Sequence, residues 1–314
     1  MKKLYTIKYD PEVRKYIGIT ITRDKIGRTI KLSVPGYIAN ALRRFGIPPQ
    51  QRRTDAPAPF TKPRYFDSRQ QLATVDDTKP LGPTETKFVQ EVVGVCAWYA
   101  RAVDSTILCA VNKLGSRQAR PTEQVLRDAI QLLHYLATWP DAVTVFRPSD
   151  MQLQIHSDAS YLSETESRSR AAGIAFLTDR DKLGDPDAIN GAIDCTSTII
   201  NAVVSSAAEA EYAGLFLVGT TAEGLRSTLE DLGHPQGATP IISDNSCAVG
   251  IANRSVKQRR SKAIDMRFHW IRDRTDQGHF KISWAAGTRN LADFFTKSHP
   301  TSHHLAMRSL YVEN

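Results

Sequence analysis

Four acidic residues occupy positions from which carboxylates could converge. Asp158 closes MQLQIHSDAS (151–160), whose alternating apolar and polar residues read as a strand ending in an acid. Glu211 lies in AVVSSAAEAEYAGLFL (202–217), Asp244 ends the strand-like PIISD (240–244), and Asp293 sits in NLADFFTK (290–297). In open α/β sheets, sites form at the carboxyl ends of strands and at neighbouring helix N-termini, where these four would meet. Carboxylates gathered without cations repel one another and are pushed toward protonation. Oxygen ligands in this number suit Mg²⁺ or Mn²⁺, and a pair of such ions is a recurrent device for in-line phosphoryl displacement. Taken singly, each acid has a plainer reading as a turn residue or helix cap, Asp293 above all. It is their joint order that points to a metal site.

Two glutamates, Glu209 and Glu211, share one helical stretch, yet positions two apart on a helix differ by about 200° and cannot do the same job. Ser206 followed three residues later by Glu209 is a capping box, with the hydroxyl taking an orphan N–H and the glutamate answering at the N-cap. Glu211 shares its stripe with Ala208, Leu215 and Val218, the face such a helix turns inward. A lone inward carboxylate costs several kcal/mol unless it is paired, hydrogen-bonded or bound to metal. An isolated glutamate at such a position usually reaches past the stripe to water; the company of the other acids is what favours the metal.

The elements that would position these acids follow in order. Strands are predicted at 151–160, 173–179, 192–200, 240–244 and 279–285, a helix around Glu211, a close-packed helix in NSCAVGIAN, and a last helix beginning at NLADFFTK. That order implies an α/β fold with a five-stranded mixed sheet and flanking helices. Upstream, 15–34 reads as a β-hairpin around DKIG, and Pro35 opens a short helix closed by Gly46. Prolines crowd 47–83, as in a linker or an extended crossing segment. Helical patterns follow at 84–102, 104–116 and 122–138, with Asp104 and Thr122 as N-caps and Leu126, Ile130, Leu133 and Ala137 as the buried stripe of the last, which Pro140 ends. No internal repeat or low-complexity tract interrupts this order.

Composition bounds the function. With 314 residues, 41% hydrophobic and 24% charged, the chain reads as a globular protein of two domains. No apolar run approaches the roughly 18 residues of a membrane span, and the basic N-terminus lacks the apolar core of a signal peptide. An intracellular protein without a membrane partner is expected. The four cysteines form no CxxC pair and read as reduced thiols. The net charge of +8 suits a polyanionic partner. Basic residues gather at Arg254, Lys257, Arg259, Arg260, Lys262, Arg267, Arg272 and Arg274. They read as phosphate contacts, or as a solvated helix face on which Asp265 and Asp273 partner some of the arginines. Phe268 and Trp270 read as core, His303 and His304 as surface residues.

Together HSDAS, SSAAEAEYAGL, ISDNSCAVGIA and RNLADFFTK resemble the motifs of the ribonuclease H domain of copia-type LTR retrotransposon Pol polyproteins. RRSKAIDMRFHWIRD (259–273) is similar to that family's basic string, with Ala263 where a histidine is usual. Residues 15–46 look like the end of a reverse transcriptase palm and its thumb, and KFVQEVVGVCAWYARAVDSTILCAVNKLGSRQARPT like the connection segment. The resemblance implies a ribonuclease H-like fold at 149–314, a palm-end and thumb remnant at 1–46, a linker at 47–83 and a helical connection at 84–148, the C-terminal part of a Pol. It implies a metal-dependent endoribonuclease that cuts the RNA strand of RNA–DNA hybrids. Asp158, Glu211, Asp244 and Asp293 would be its catalytic and metal-binding residues, holding two Mg²⁺ or Mn²⁺ ions with Asp158 shared between them. Arg259, Arg260, Lys262 and Arg267 would be its nucleic-acid contacts, His299 an aid to product release, and an upstream reverse transcriptase segment a partner. No YxDD string is present, since Tyr9 and Asp10 are followed by Pro11, so polymerase activity is not expected. The alternative is a domesticated fragment that binds nucleic acid or a Pol partner without catalysis.

Overall fold

The computed structural model describes residues 11–48, 53–61, 76–255 and 266–313, with the backbone alone at 266–268. A five-stranded mixed sheet is built from β5 (Gln152–Glu164), β6 (Arg168–Thr178), β7 (Ala192–Ile199), β8 (Thr239–Ser243) and β9 (Phe280–Trp284), numbered after four shorter strands upstream. Its order is β7-β6-β5-β8-β9. The first three strands are antiparallel, while β8 pairs parallel with β5, and β9 parallel with β8. This is the five-stranded mixed sheet that the sequence predicts. One boundary differs: β5 runs to Glu164, so Asp158 lies within the strand, directly opposite Ala172 of β6. The alternation fades at Ser160–Ser163 because the ladder there is irregular, and the hairpin partner β6 carries the strand on.

Each face of the sheet has its own core. On one face, α5 (Ala207–Asp231), α6 (Ser246–Ala252) and α7 (Met266–Asp276) pack Tyr212, Leu215, Ala248 and Ile271 onto Leu153, Ile155, Ile241 and Ile282. On the other, Ala172, Ile174 and Phe176 of β6 share one core with α2 (Pro83–Ala102), α3 (Leu108–Arg117) and α4 (Glu123–Thr138), including Val89, Val92, Leu132 and Leu136, and α3 lies against β7. The helical block is thus the sheet's second covering layer. Each large apolar side chain so buried contributes about 1.5–3 kcal/mol.

Thr122 caps α4 by accepting from Val125 N–H, as predicted. The buried residues are Val125, Ala129, Leu132, Leu133, Tyr135 and Leu136, so of the predicted stripe Leu133 is buried as expected, while Leu126, Ile130 and Ala137 are only half-buried. Adjacent stripes of α4 are both apolar, and packing against α2 selects between them. Asp104 also caps as expected, accepting from Thr106 N–H, but it opens a 3₁₀ turn (Ser105–Ile107) before α3.

The predicted hairpin forms from β2 (Ile19–Asp24) and β3 (Thr29–Ser33), its turn held by Asp24 Oδ1 accepting from the N–H groups of Ile26 and Gly27. β1 (Lys15–Tyr16) and an unpredicted β4 (Thr144–Phe146) complete a four-stranded sheet, and α1 (Tyr37–Arg44) follows the hairpin.

Near the C-terminus three expectations need correction. NLADFFTK forms a 3₁₀ turn, Leu291–Phe295, instead of an α-helix, and the last helix, α8 (Thr301–Tyr311), starts only after Pro300. The cap of that turn is Asn290, accepting from Ala292 N–H, which leaves the Asp293 side chain for other work. His304, expected at the surface, is 3% exposed, because it shares the inward face of α8 with Arg308 and Tyr311. Its Nε2 lies 2.9 Å from the Tyr135 hydroxyl, and burial pushes its pKa down to about 3. His303 is exposed, as read. The four cysteines are free thiols. No helix among the described residues is long and apolar enough to cross a membrane.

Candidate metal centre

The site begins with the N-terminus of α5. Ser206 Oγ accepts from Glu209 N–H at 3.2 Å, but Glu209 Oε2 reaches one residue further back than a capping box requires, accepting from Ser205 N–H (2.7 Å) and Ser205 Oγ (2.6 Å). Glu209 is thereby tied to the helix entrance, and Glu211 turns inward, 5% exposed. A close approach seats it there. A Cβ at Gly214, one turn on, would stand 3.3 Å from both the Asp158 carbonyl and Ser157 Oγ, so a bare glycine lets α5 lie against β5 beside Asp158.

Asp244 follows β8 directly. Asn245 caps α6, accepting from Ala248 N–H at 3.0 Å, so Asp244 is not needed as a cap. Its main chain is held from the neighbouring strand by Trp284 Nε1, which donates to the Asp244 carbonyl at 2.8 Å. Asp158, Glu211 and Asp244 each offer an oxygen within 4.8 Å of those of the other two. Asp158 is 4% exposed and Asp244 half-buried.

Asp293 stands just outside this trio, its Oδ1 accepting from Lys297 Nζ at 2.5 Å. The 3₁₀ turn carrying it is pinned to β5: Asn290 Nδ2 donates to the Ser157 carbonyl (2.9 Å), Leu291 N–H to His156 Nδ1 (3.2 Å), and Ser160 Oγ to the Thr296 carbonyl (3.1 Å). Burial pushes the His156 pKa down to about 4, which keeps its ring neutral and Nδ1 an acceptor. His299 is buried in the following loop, its ring stacked on Phe294 and its Nε2 3.2 Å from the Phe294 carbonyl.

Electrostatics set this cluster apart. Burial raises the Asp158 pKa above the ordinary carboxylate range, and Asp293 and Asp244 raise it further. Glu211 is raised by burial, then by Asp158 and Asp244, with the Ala159 backbone offsetting a part. Asp244 is raised by burial and by Asp293. Among the described residues, Glu211 Oε2 is buried with no hydrogen-bond partner. An orphaned carboxylate oxygen among like charges is a donor set that fits a hard divalent cation.

Of the predicted nucleic-acid contacts, Arg259, Arg260 and Lys262 lie outside the described residues, as does the side chain of Arg267. Arg272 and Arg274 have structural partners in the Ile251 carbonyl and in Asp273. Trp270 packs between Phe216 and Phe280, as a core residue should. Three residues at the site escaped the sequence reading: Trp284, Gly287 and Lys297. Only Trp284, a large aromatic at the end of a predicted strand, carried a signal that could have drawn notice.

No family model matches the chain. Across 96% of its length it is 23% identical to the retrovirus-related Pol polyprotein from transposon TNT 1-94 of Nicotiana tabacum, and across 95% it is 26% identical to that from transposon RE1 of Arabidopsis thaliana. A Ty1 Gag-Pol polyprotein of Saccharomyces cerevisiae is 20% identical over 94% of the chain. The chain spans only 21%, 19% and 16% of these relatives. Similar solved structures include LC11-RNase H1 isolated from compost (14% identity, TM-score 0.34, 46% of this chain and 91% of that one). Another is RNase H1 of Halobacterium salinarum (14%, TM-score 0.30, 49% and 98%). Along nearly its whole length, the chain is homologous to one segment of the retrovirus-related Pol polyproteins of copia-type transposons.

Proposed function

We propose that the chain is a metal-dependent endoribonuclease that cuts the RNA strand of an RNA–DNA hybrid as part of a retrotransposon Pol. The observation that carries this reading is the unpartnered, buried Glu211 Oε2 within a trio of carboxylate oxygens no more than 4.8 Å apart. Mutual repulsion makes such a trio a cost to the folded chain unless a cation relieves it. Asp158, Glu211 and Asp244 would hold Mg²⁺ or Mn²⁺, with Asp293 as a fourth acid and two ions as the full complement. When bound, the ions supply Lewis-acid stabilisation of phosphoryl charge and a more acidic water.

The chain's own residues prepare that chemistry. The Asn290 cap and the His156 acceptor fix the turn that carries Asp293, and the Trp284 N–H fixes the main chain of Asp244. Burial keeps the acids disposed to hold protons until a cation arrives, so cation uptake releases protons. The net charge of +8 suits a hybrid duplex, and Arg259, Arg260, Lys262 and Arg267 are assigned to its phosphates. We assign the chemistry to residues 149–314 and the covering helical layer to 84–148. An upstream polymerase segment would be the natural partner of the hairpin and helix at 15–46.

The test is cleavage of an RNA–DNA hybrid labelled on the RNA by the full chain, with Mg²⁺ or with EDTA, beside single-stranded RNA and duplex DNA. Cut RNA in the hybrid with Mg²⁺ alone is the expected result. No cleavage with either Mg²⁺ or Mn²⁺, or equal cleavage of single-stranded RNA, rejects the reading; binding without cleavage would favour the non-catalytic alternative.

A further inference from the structure

Trp284 is the last residue of β9, an edge strand, and lies opposite Ser243 of β8. Phe280 and Ile282, which precede it on the same face of the strand, are buried in the core under α6 and α7. One step further along that face, the indole emerges beyond the packed layer and is 57% exposed. It is not loose, since its N–H donates to the Asp244 carbonyl and sets the ring beside one acid of the trio. The neighbouring Ser246 and Cys247 are exposed as well, so the ring faces an open surface.

Resting on the function proposed above, we infer that Trp284 is the platform on which a nucleotide of the cut strand packs beside the acid trio. A large indole left mostly in water forgoes the burial that aromatic side chains otherwise gain. Its orientation is already fixed by a hydrogen bond, so a ligand that stacks on it does not have to order the side chain. The trio acts at a phosphodiester, and the groups that flank a phosphodiester are sugars and bases. Every base offers a π-face, which makes stacking tolerant of sequence, as suits an enzyme that must travel along a hybrid of any composition. The stacked ring would also hold the strand in register against Asp244, whose main chain it already fixes.

The experiment measures affinity for a fluorescently labelled RNA–DNA hybrid in EDTA, where no cleavage occurs, using the full chain as wild type, Trp284→Ala, Trp284→Leu and Trp284→Phe. Stacking predicts that Ala and Leu weaken binding by on the order of tenfold and that Phe recovers most of it. A role confined to holding Asp244 would need the N–H, so Phe would then behave like Ala, and that result overturns the inference. Equal affinity in all four proteins overturns it too. Independently of any folding defect in the smaller variants, hybrid should quench the indole fluorescence of wild type more than that of Trp284→Phe; equal quenching counts against the platform. If wild type itself fails to bind hybrid, the proposed function fails first and the platform with it.

Discussion

Acids are buried in two different ways in this molecule. Asp104 receives two hydrogen bonds of 2.9 Å from Arg308 Nη1, joining residues 204 positions apart, and Glu164 Oε1 receives one of 2.7 Å from Arg170 Nε. Arg170 is further held by Asn112 Oδ1 and Ser197 Oγ, so it ties β6 to α3 and β7. Asp158, Glu211 and Asp244 instead face one another, and Glu211 Oε2 finds no partner among the described residues. Burial is equally costly in both places. Where the fold pairs an acid with its own cation, the acid fastens segments together; where three acids face one another and the adjacent Lys297 is bonded to Asp293, they keep a deficit that a bound cation can fill. The same residue type therefore reads as structure or as chemistry according to its nearest positive charge.

Arg308→Met breaks the first arrangement and should have the largest effect. It leaves Asp104 buried without its cation, and removal of one partner of a buried pair costs about 3–5 kcal/mol. Urea unfolding of the variant should show that loss, and the double variant Asp104→Asn with Arg308→Met should recover much of it. A loss below about 1 kcal/mol would reduce the pair to the standing of a surface contact.

Glu211→Gln breaks the second arrangement with the opposite signature. Hybrid cleavage should fall by about a hundredfold or more, since changes merely behind metal ligands already cost 10–100-fold. Stability without metal should rise. The folded chain raises the Glu211 pKa, so it binds that proton more tightly than the unfolded chain does. The corresponding stability is full below the unfolded value near about 4.3 and is lost as pH climbs through the folded one. In EDTA, wild type should therefore lose ground to Glu211→Gln between about pH 5 and 8, by on the order of 1 kcal/mol or more. Saturating Mg²⁺ should restore wild type and leave the variant unmoved. Melting curves over that pH range, with and without metal, check both halves.

Gly287 sharpens the comparison from outside the trio. A Cβ there would stand 2.8 Å from Asp244 Oδ2, so Gly287→Ala forces that carboxylate aside without touching any paired acid. A displacement of this kind predicts about a tenfold rise in the Mg²⁺ needed for half-maximal cleavage, within the 10–100-fold range of second-layer changes. Unfolding should be little altered. An unchanged Mg²⁺ requirement would mean that Asp244 tolerates the shift.

Much of this was legible before any coordinates. Strands and helices have local periods, so Asp158 could be placed on the first strand of the sheet, Asp244 at a strand end and Glu211 in the first turns of a helix from pattern alone, although β5 runs on past Asp158. The inward turn of Glu211 followed from its spacing to Leu215 and Val218. What escaped lacks a local period. The core shared by α2–α4 and β6 joins segments far apart in the chain, and β4 is three residues long. The inward face of α4 could not be chosen between two apolar stripes. His304 is buried because α8 brings it against Tyr135 of α4 and the Phe294 ring, and the 3₁₀ turn at Asp293 replaced a helix because its hydrogen bonds go to β5. Asp104 was read correctly as a cap, yet its larger role depends on Arg308, which no local pattern connects to it.

The smallest expected effect is also the most discriminating, because it concerns an acid only two positions from Glu211. Glu209 is exposed to solvent at its hydrogen bonds, and its Oε2 accepts from Ser205 N–H and Oγ at the entrance to α5. In Glu209→Gln the side-chain carbonyl can still accept those bonds, while the negative charge near the helix N-terminus is lost. That charge is worth about 0.3–1 kcal/mol. The variant should therefore unfold slightly earlier than wild type, cleave hybrid at the wild-type rate and keep the wild-type response to Mg²⁺. Glu211→Gln should do the reverse on all three measurements. If Glu209→Gln instead lost activity as Glu211→Gln does, the entrance of α5 would itself belong to the metal centre, and the separation of fastening acids from ligand acids would not hold along this helix.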